Sequence, residues 1–194
     1  MGWKGTTGLL IVLIVLCAAA WPTSSYLRER VTNLFKEVRS YQSGTVYGPA
    51  GERLEFWRKS TISIAKAPVL GHGTGSIREE FRRSAPDQAD RATPVPTNPH
   101  NQIFAIAMQL GLVGAAVLIA MWVVHLRLFW GPGLAAGIGV AVVVQNIVSS
   151  LFNSALFDFS SGWAYVWGVG VLGGMLSRAA PDSTTRSEND RIIS

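Results

Sequence analysis

Thr97-Asn98-Pro99-His100-Asn101-Gln102 puts an ionisable imidazole where a polar segment turns into a long apolar one. Asn98 suits an N-cap and Pro99 a first helical turn, which predicts His100 inside that turn. There the helix dipole disfavours the imidazolium, and free amide hydrogens can receive an anion. A neutral imidazole beside a bound anion is suited to general-base work. The bland reading is a capping or interfacial histidine, and the residues alone leave the two open.

Arg53 and Trp57 stand four apart in Gly51-Glu52-Arg53-Leu54-Glu55-Phe56-Trp57, on one face of a predicted helix. A guanidinium is always charged and meets two phosphate oxygens as a fork, although a solvated interfacial arginine has the same spacing. Arg58, Lys59 and Lys66 are weaker anion ligands that can equally face solvent or lipid headgroups. Gly71-His72-Gly73-Thr74-Gly75 permits close backbone approach and positive φ. Without a following Gly-Lys-Ser/Thr it is not a Walker loop. It is either a phosphate-cradling nest built on the Gly73 and Gly75 amides or a tight turn over packed helices, with His72 in a supporting role.

These residues must be held by helices of membrane grade. Four stretches lack Asp, Glu, Lys and Arg altogether: 5–27, 92–126, 128–157 and 159–177. A span needs about 20 mostly apolar residues, so each stretch holds one, near Thr7–Trp21, Gly111–Trp130, Leu134–Phe152 and Gly162–Ser177. The expected fold is therefore an all-α integral membrane protein with about four transmembrane helices. Residues 1–22 form the first, 23–99 a large, mostly helical external loop, 100–177 the other three, and 178–194 a disordered cytoplasmic tail. Lys4, Arg127, Arg178, Arg186 and Arg191 lie on the inner side if the amino end is inside. The external loop then carries twelve basic against eight acidic residues. Long loops translocate regardless of charge, and the excess asks for an anionic partner. Lys4, the apolar core Leu9–Leu16 and Ala18-Ala19-Ala20 also fit a cleavable signal peptide, which would leave the later topology unchanged. Cys17, the single cysteine, excludes an internal disulfide and a cysteine-based metal cluster.

Within the loop, Leu27, Val31, Leu34, Val38 and Tyr41 recur at helical steps, predicting an amphipathic helix over Ser25–Tyr41 that acts as a lid or lies at the interface. Tyr47–Gly51 reads as a turn cluster, Glu52–Ala65 as a second helix ending before Pro68, and the stretch from Arg83 to Pro99 as a mobile loop. Gln145, Asn146, Ser149, Ser150 and Asn153 form a polar run along the third span, for interhelical hydrogen bonds or a cleft lining. Asp158 reads as a helix cap, and His125 as a snorkelling residue beside Arg127.

Taken in order, the Arg53/Trp57 helix, Ala67-Pro68-Val69-Leu70-Gly71-His72-Gly73-Thr74-Gly75, the His100 turn and Gln109-Leu110-Gly111-Leu112-Val113-Gly114 resemble the C-terminal half of the O-antigen ligase and polymerase family, over roughly Gly48 to Ser177. The resemblance implies a metal-independent, cofactor-free, inverting glycosyltransferase of the bacterial inner membrane, multi-pass, with a periplasmic loop. It would move an undecaprenyl-diphosphate-linked glycan onto lipid A-core in lipopolysaccharide biosynthesis, or onto a second lipid-linked glycan in a polymerase. His100 would be catalytic. Arg53, Arg58, Gly73, Gly75 and Asn101 would bind the lipid diphosphate, supported by Trp57, His72 and Asn98. Membrane lipid is the expected surrounding, and no nucleic-acid partner is expected. Family members have more spans, so the chain is expected to be a C-terminal part, with three readings open: it works alone, pairs with a separate N-terminal half, or is inactive. The reading from another class is a non-catalytic scaffold docked on anionic lipid or polysaccharide.

Overall fold

The computed structural model describes residues 15, 18–19, 21–84 and 96–179. The first expected span, the segment from 85 to 95 and the tail after 179 therefore lie largely or wholly outside the described residues. What is described is all-helical. In chain order the helices are α1 (Ser25–Gln42), α2 (Gly48–Lys66), α3 (Ile77–Arg83), α4 (Gln102–Leu128), α5 (Leu134–Phe152) and α6 (Phe159–Ala179).

Helix α1 forms where the periodicity places it, and the Ser24 hydroxyl accepts the Leu27 amide hydrogen at 3.1 Å as its N-cap. Helix α2 starts four residues before the expected Glu52. The supposed turn cluster is its first turn, because a proline there gives up only an amide that has no intrahelical partner. Helix α3 is not foreseen by the periodicity. Its seven residues bury Ile77 and Phe81, with Glu79 and Glu80 in its first turn and Arg82 and Arg83 in its last, the arrangement the helix dipole favours.

Helices α4 and α5 are long and apolar enough to cross a membrane, and they are the two among the described residues that are. Helix α6 spans the fourth charge-free stretch, but its glycines and polar residues dilute its apolar character. Helix α4 begins nine residues before the expected Gly111 and is broken there, where φ is 66° and ψ −163°. It is thus two helical pieces, the first of which carries the packing against α2 and α3.

Two cores result. Leu118, Trp122, Phe129, Val143 and Tyr165 pack between α4, α5 and α6. The buried indole of Trp122 donates to Asn146 Oδ1 at 3.1 Å, so one member of the polar run is an interhelical partner. His125, read in the sequence as snorkelling, has a partner within the bundle. Its Nδ1 lies 2.6 Å from the Tyr165 hydroxyl, which turns it toward α6. Ile77, Phe81, Ala105 and Met108 form the second core, with Phe56 and Ile64 against it, and seat α2 and α3 on the first piece of α4. Val117, Val124, Val144 and Val148 face outward, an apolar exterior suited to lipid.

Candidate active site

The turn that leads into α4 differs from the sequence expectation in one respect. Its N-cap is Asn101, whose Oδ1 accepts the amide hydrogens of Ile103 and Phe104 at 3.0 and 3.2 Å. His100 therefore stands just before the helix. Its φ of 53° makes it the one non-glycine residue with positive φ among those described. Such a conformation costs about 1–3 kcal/mol and persists where surrounding contacts enforce it. Here those contacts come from Asn98, whose Oδ1 accepts the His100 amide hydrogen at 2.8 Å and the Ser154 hydroxyl hydrogen at 2.6 Å. Asn98 is the brace of the turn rather than the cap of the helix, because its acceptor is already used by His100.

The connection between α5 and α6 is stitched to this turn. Asn98 Nδ2 donates to Asn153 Oδ1 at 3.1 Å, Asn101 Nδ2 to the Leu151 carbonyl at 3.1 Å, and the Leu156 amide to Gln102 Oε1 at 2.9 Å. The half-buried imidazole of His100 rests on Phe56 of α2, with ring centroids 6.1 Å apart and planes 25° from parallel. Its Nδ1 lies 3.3 Å from Asn153 Oδ1. Trp57, one residue on, donates its indole hydrogen to the Pro99 carbonyl at 3.1 Å and packs against Phe104.

A groove of about 420 Å³ opens between α1 and α2, and Trp57 is part of its wall. Leu34, Val38, Leu54 and Phe152 supply apolar lining, and Arg30 and Arg53 its cations, with Glu37 between. Glu37 Oε2 accepts the Ala50 amide hydrogen at 2.8 Å, which commits it to the start of α2. Arg53 is exposed and has no hydrogen-bond or ion-pair partner among the described residues. Arg58 lies outside the groove lining. Its guanidinium forks onto Glu55 at 2.7 and 2.9 Å. That contact, helped by Lys59 and offset by partial burial, holds the Glu55 carboxyl below its ordinary range. Tyr41 closes the same cluster by donating to Glu55 at 3.2 Å, tying α1 to α2.

The glycine-rich turn lies against the break in α4. The amides of His72 and Gly73 donate to the carbonyls of Met108 and Gln109, both at 2.9 Å, and the Gly75 amide donates to Gln109 Oε1 at 2.6 Å. The hydrogens that would cradle a phosphate at Gly73 and Gly75 are engaged inside the protein. His72 faces inward too, donating from Nε2 to the Ser63 carbonyl at 2.8 Å, with the buried Glu80 carboxylate 3.6 Å away. Glu80 in turn accepts from Ser63 Oγ at 2.9 Å and pairs with Arg83.

Of the residues singled out in the sequence, the structure brings His100, Asn98, Asn101 and Trp57 together and puts Arg53 in the groove that Trp57 lines. Arg58, Gly73, Gly75 and His72 sit elsewhere with protein partners. Sequence reasoning passed over Arg30, Phe56 and Asn153. Arg30, Asn33, Leu34, Glu37 and Val38 do share a helical repeat, so the groove wall on α1 was detectable. Asn153 stands in the sequence at the end of a polar run suited to interhelical hydrogen bonds or a cleft lining.

The fold and site define an all-helical protein with membrane-grade helices and a helical layer packed on them that carries an imidazole and free cationic charge. Over residues 2–119 the chain matches the O-antigen ligase family, and it belongs to that family. The match covers Arg53, the glycine-rich turn and His100 but stops within α4, so α5 and α6 lie beyond it, whereas the motifs alone placed the resemblance over Gly48–Ser177. The chain is similar to Rickettsia proteins that carry the name "putative polysaccharide ligase". It is 28% identical to one of Rickettsia typhi over 81 residues, 40% of this chain and 20% of that protein. With one of Rickettsia felis it shares 25% identity over 112 residues, 56% and 24% of the two chains. The chain thus spans about a fifth to a quarter of the relatives it matches.

Proposed function

We propose that this chain supplies the catalytic and carrier-binding residues of an O-antigen ligase-type glycosyltransferase. It would transfer a glycan from undecaprenyl diphosphate to a hydroxyl of lipid A-core at the periplasmic face of the inner membrane. The observation that carries this is the continuity of the groove with the His100 turn. Trp57 lines the groove and is bonded to Pro99, and Phe152 lines it and precedes Asn153, which touches His100. An apolar wall with cations suits a phosphorylated isoprenoid, since the lipid needs burial and the diphosphate needs charge.

In this reading His100 accepts the proton of the acceptor hydroxyl as its oxygen forms the new bond to the anomeric carbon. The bond from that carbon to the carrier phosphate breaks from the opposite face, which inverts the centre and leaves the electron pair on the diphosphate. Arg53, with Arg30 across the groove, stabilises that charge as it develops. The relatives' names favour a ligase over a polymerase that uses a second lipid-linked glycan.

Smooth lipopolysaccharide in a ligase-null strain tests the proposal, with the chain supplied together with the N-terminal half of a relative. His100→Ala and Arg53→Ala should abolish the ladder at unchanged protein level. A ladder that survives both sinks the assignment. Orientation is tested in a Cys17→Ser background, where an impermeant thiol reagent should label cysteines placed at Ser84 and Ser160 but not at Gly131, in the turn between α4 and α5.

A further inference from the structure

We infer that Asn153, at the outer end of α5, is a positioning residue that fixes the His100 tautomer, leaving the proton on Nδ1 and the lone pair on Nε2. The inference deepens the proposed reaction and rests on His100 being its base, but the tautomer itself is fixed by hydrogen-bond logic alone.

A backbone amide can only donate, so the Asn98 atom 2.8 Å from the His100 nitrogen is its carbonyl oxygen. The Ser154 hydroxyl, 2.6 Å from that oxygen, is satisfied by donating to it. The other arm of Asn98 is then the amide nitrogen, which can only donate, and the Asn153 atom 3.1 Å from it is therefore an oxygen. That oxygen also lies 3.3 Å from His100 Nδ1. Two acceptors cannot share a hydrogen bond, so Nδ1 carries the hydrogen. A histidine whose one nitrogen is held protonated by a fixed acceptor presents the other as its base.

The placement is enforced from both sides. Asn153 ends α5, its amide bonded to the Ser149 carbonyl at 2.9 Å, so it is anchored to a membrane-grade helix. His100 is anchored through Asn98 and stacked on Phe56. Turning the ring about Cβ–Cγ would put Cδ2 in place of Nδ1 and lose the contact to Asn153. The arrangement has the logic of a nucleophile–base–orienter set, with a neutral amide in the orienter's place.

Nitrogen-15 spectra of the full chain in lipid nanodiscs, labelled at histidine and assigned by difference against His100→Gln, read the tautomer directly. Wild type should show a protonated Nδ1 and a bare Nε2 at His100. Asn153→Asp keeps an acceptor and should keep that pattern, whereas Asn153→Leu should let the two tautomers mix. In the ligase assay Asn153→Leu should lower turnover by about 10- to 100-fold, a loss like that seen when the outer hydrogen-bond partner of a metal-ligating histidine is removed, and Asn153→Asp should recover most of it. Carrier-lipid binding should stay unchanged in both. A wild-type His100 protonated on Nε2 overturns the inference even if no variant folds, and so does an Asn153→Leu spectrum identical to wild type. A correct tautomer with full activity in His100→Gln would instead refute the role of His100 as base while leaving the geometry intact.

Discussion

Gly71 and Gly111 are pressed together backbone to backbone, 40 positions apart in sequence. Both have positive φ, 69° and 66°. A Cβ on Gly71 would lie 2.6 Å from the Gly111 nitrogen, and one on Gly111 would lie 2.6 Å from the Leu70 nitrogen and overlap the Val69 carbonyl. Around them, Leu112 donates to the Pro68 carbonyl at 2.8 Å and His72 to that of Met108 at 2.9 Å. The break in α4 thus loses helical hydrogen bonds and regains them from the loop that follows α2, which fixes α2 and its loop to the membrane-grade helix.

Gly111→Ala and Gly71→Ala should therefore be severe, and Gly73→Ala mild. All three sites have positive φ, which costs an alanine about 1–3 kcal/mol, and Gly111, with ψ −163°, lies where only glycine is at ease, but at Gly73 nothing lies within 4 Å of an added Cβ. Thermal unfolding in detergent should show a loss for Gly111→Ala at least twice that for Gly73→Ala. Equal losses would mean that backbone conformation and not close approach is what matters.

His100→Ala should reduce turnover by about 100- to 10,000-fold with little change in carrier binding, since a general base acts as the hydroxyl attacks. His72→Ala removes the hydrogen bond to the Ser63 carbonyl and should cost about 1 kcal/mol of stability with a milder loss of turnover. Turnover and unfolding measured on both variants check this. A dead His72→Ala beside a near-normal His100→Ala would show that the wrong histidine has been given the chemistry.

Arg53→Ala should weaken donor binding as well as rate, because the diphosphate is present both before and during transfer. Charge-assisted hydrogen bonds contribute about 1.5–3 kcal/mol, so the dissociation constant for undecaprenyl diphosphate should rise roughly ten- to a hundredfold. Arg53→Lys should restore charge without the fork and fall between. Arg58→Ala should leave binding unchanged, since its guanidinium is engaged with Glu55. Binding can be followed by tryptophan fluorescence, Trp57 being in the groove wall.

The Glu55 cluster should loosen on acidification. Its carboxyl is held below the ordinary range, first by the hydrogen bond from Arg58. Its contribution is therefore complete above the ordinary carboxylate value and is lost as pH falls through the depressed one. Hydrogen exchange in α1, corrected for intrinsic rates, should accelerate in that window and lose the dependence in Glu55→Gln. The effect should be small, about 1 kcal/mol or less, because Arg58 is solvent-exposed.

What the sequence by itself determined were local quantities. The apolar repeat that marks α1, the charge-free lengths that make up most of α4, α5 and α6, and the order of motifs that marks the family are all readable along the chain, because each depends on residues within a few turns of one another. The partners were decided in three dimensions. Asn98 would cap a helix if left to its neighbours, but its one acceptor is taken by His100 and by Ser154, so the cap passes to Asn101. Gly73 and Gly75 have the backbone freedom of a phosphate nest, yet Gln109 uses their amide hydrogens. Arg53 and Arg58 are near-equal candidates in sequence, and α2 turns one into the groove while Glu55 takes the other. A donor or acceptor engages whichever partner the packing brings within about 3 Å, and the partners that decide this site come from segments up to 56 residues away.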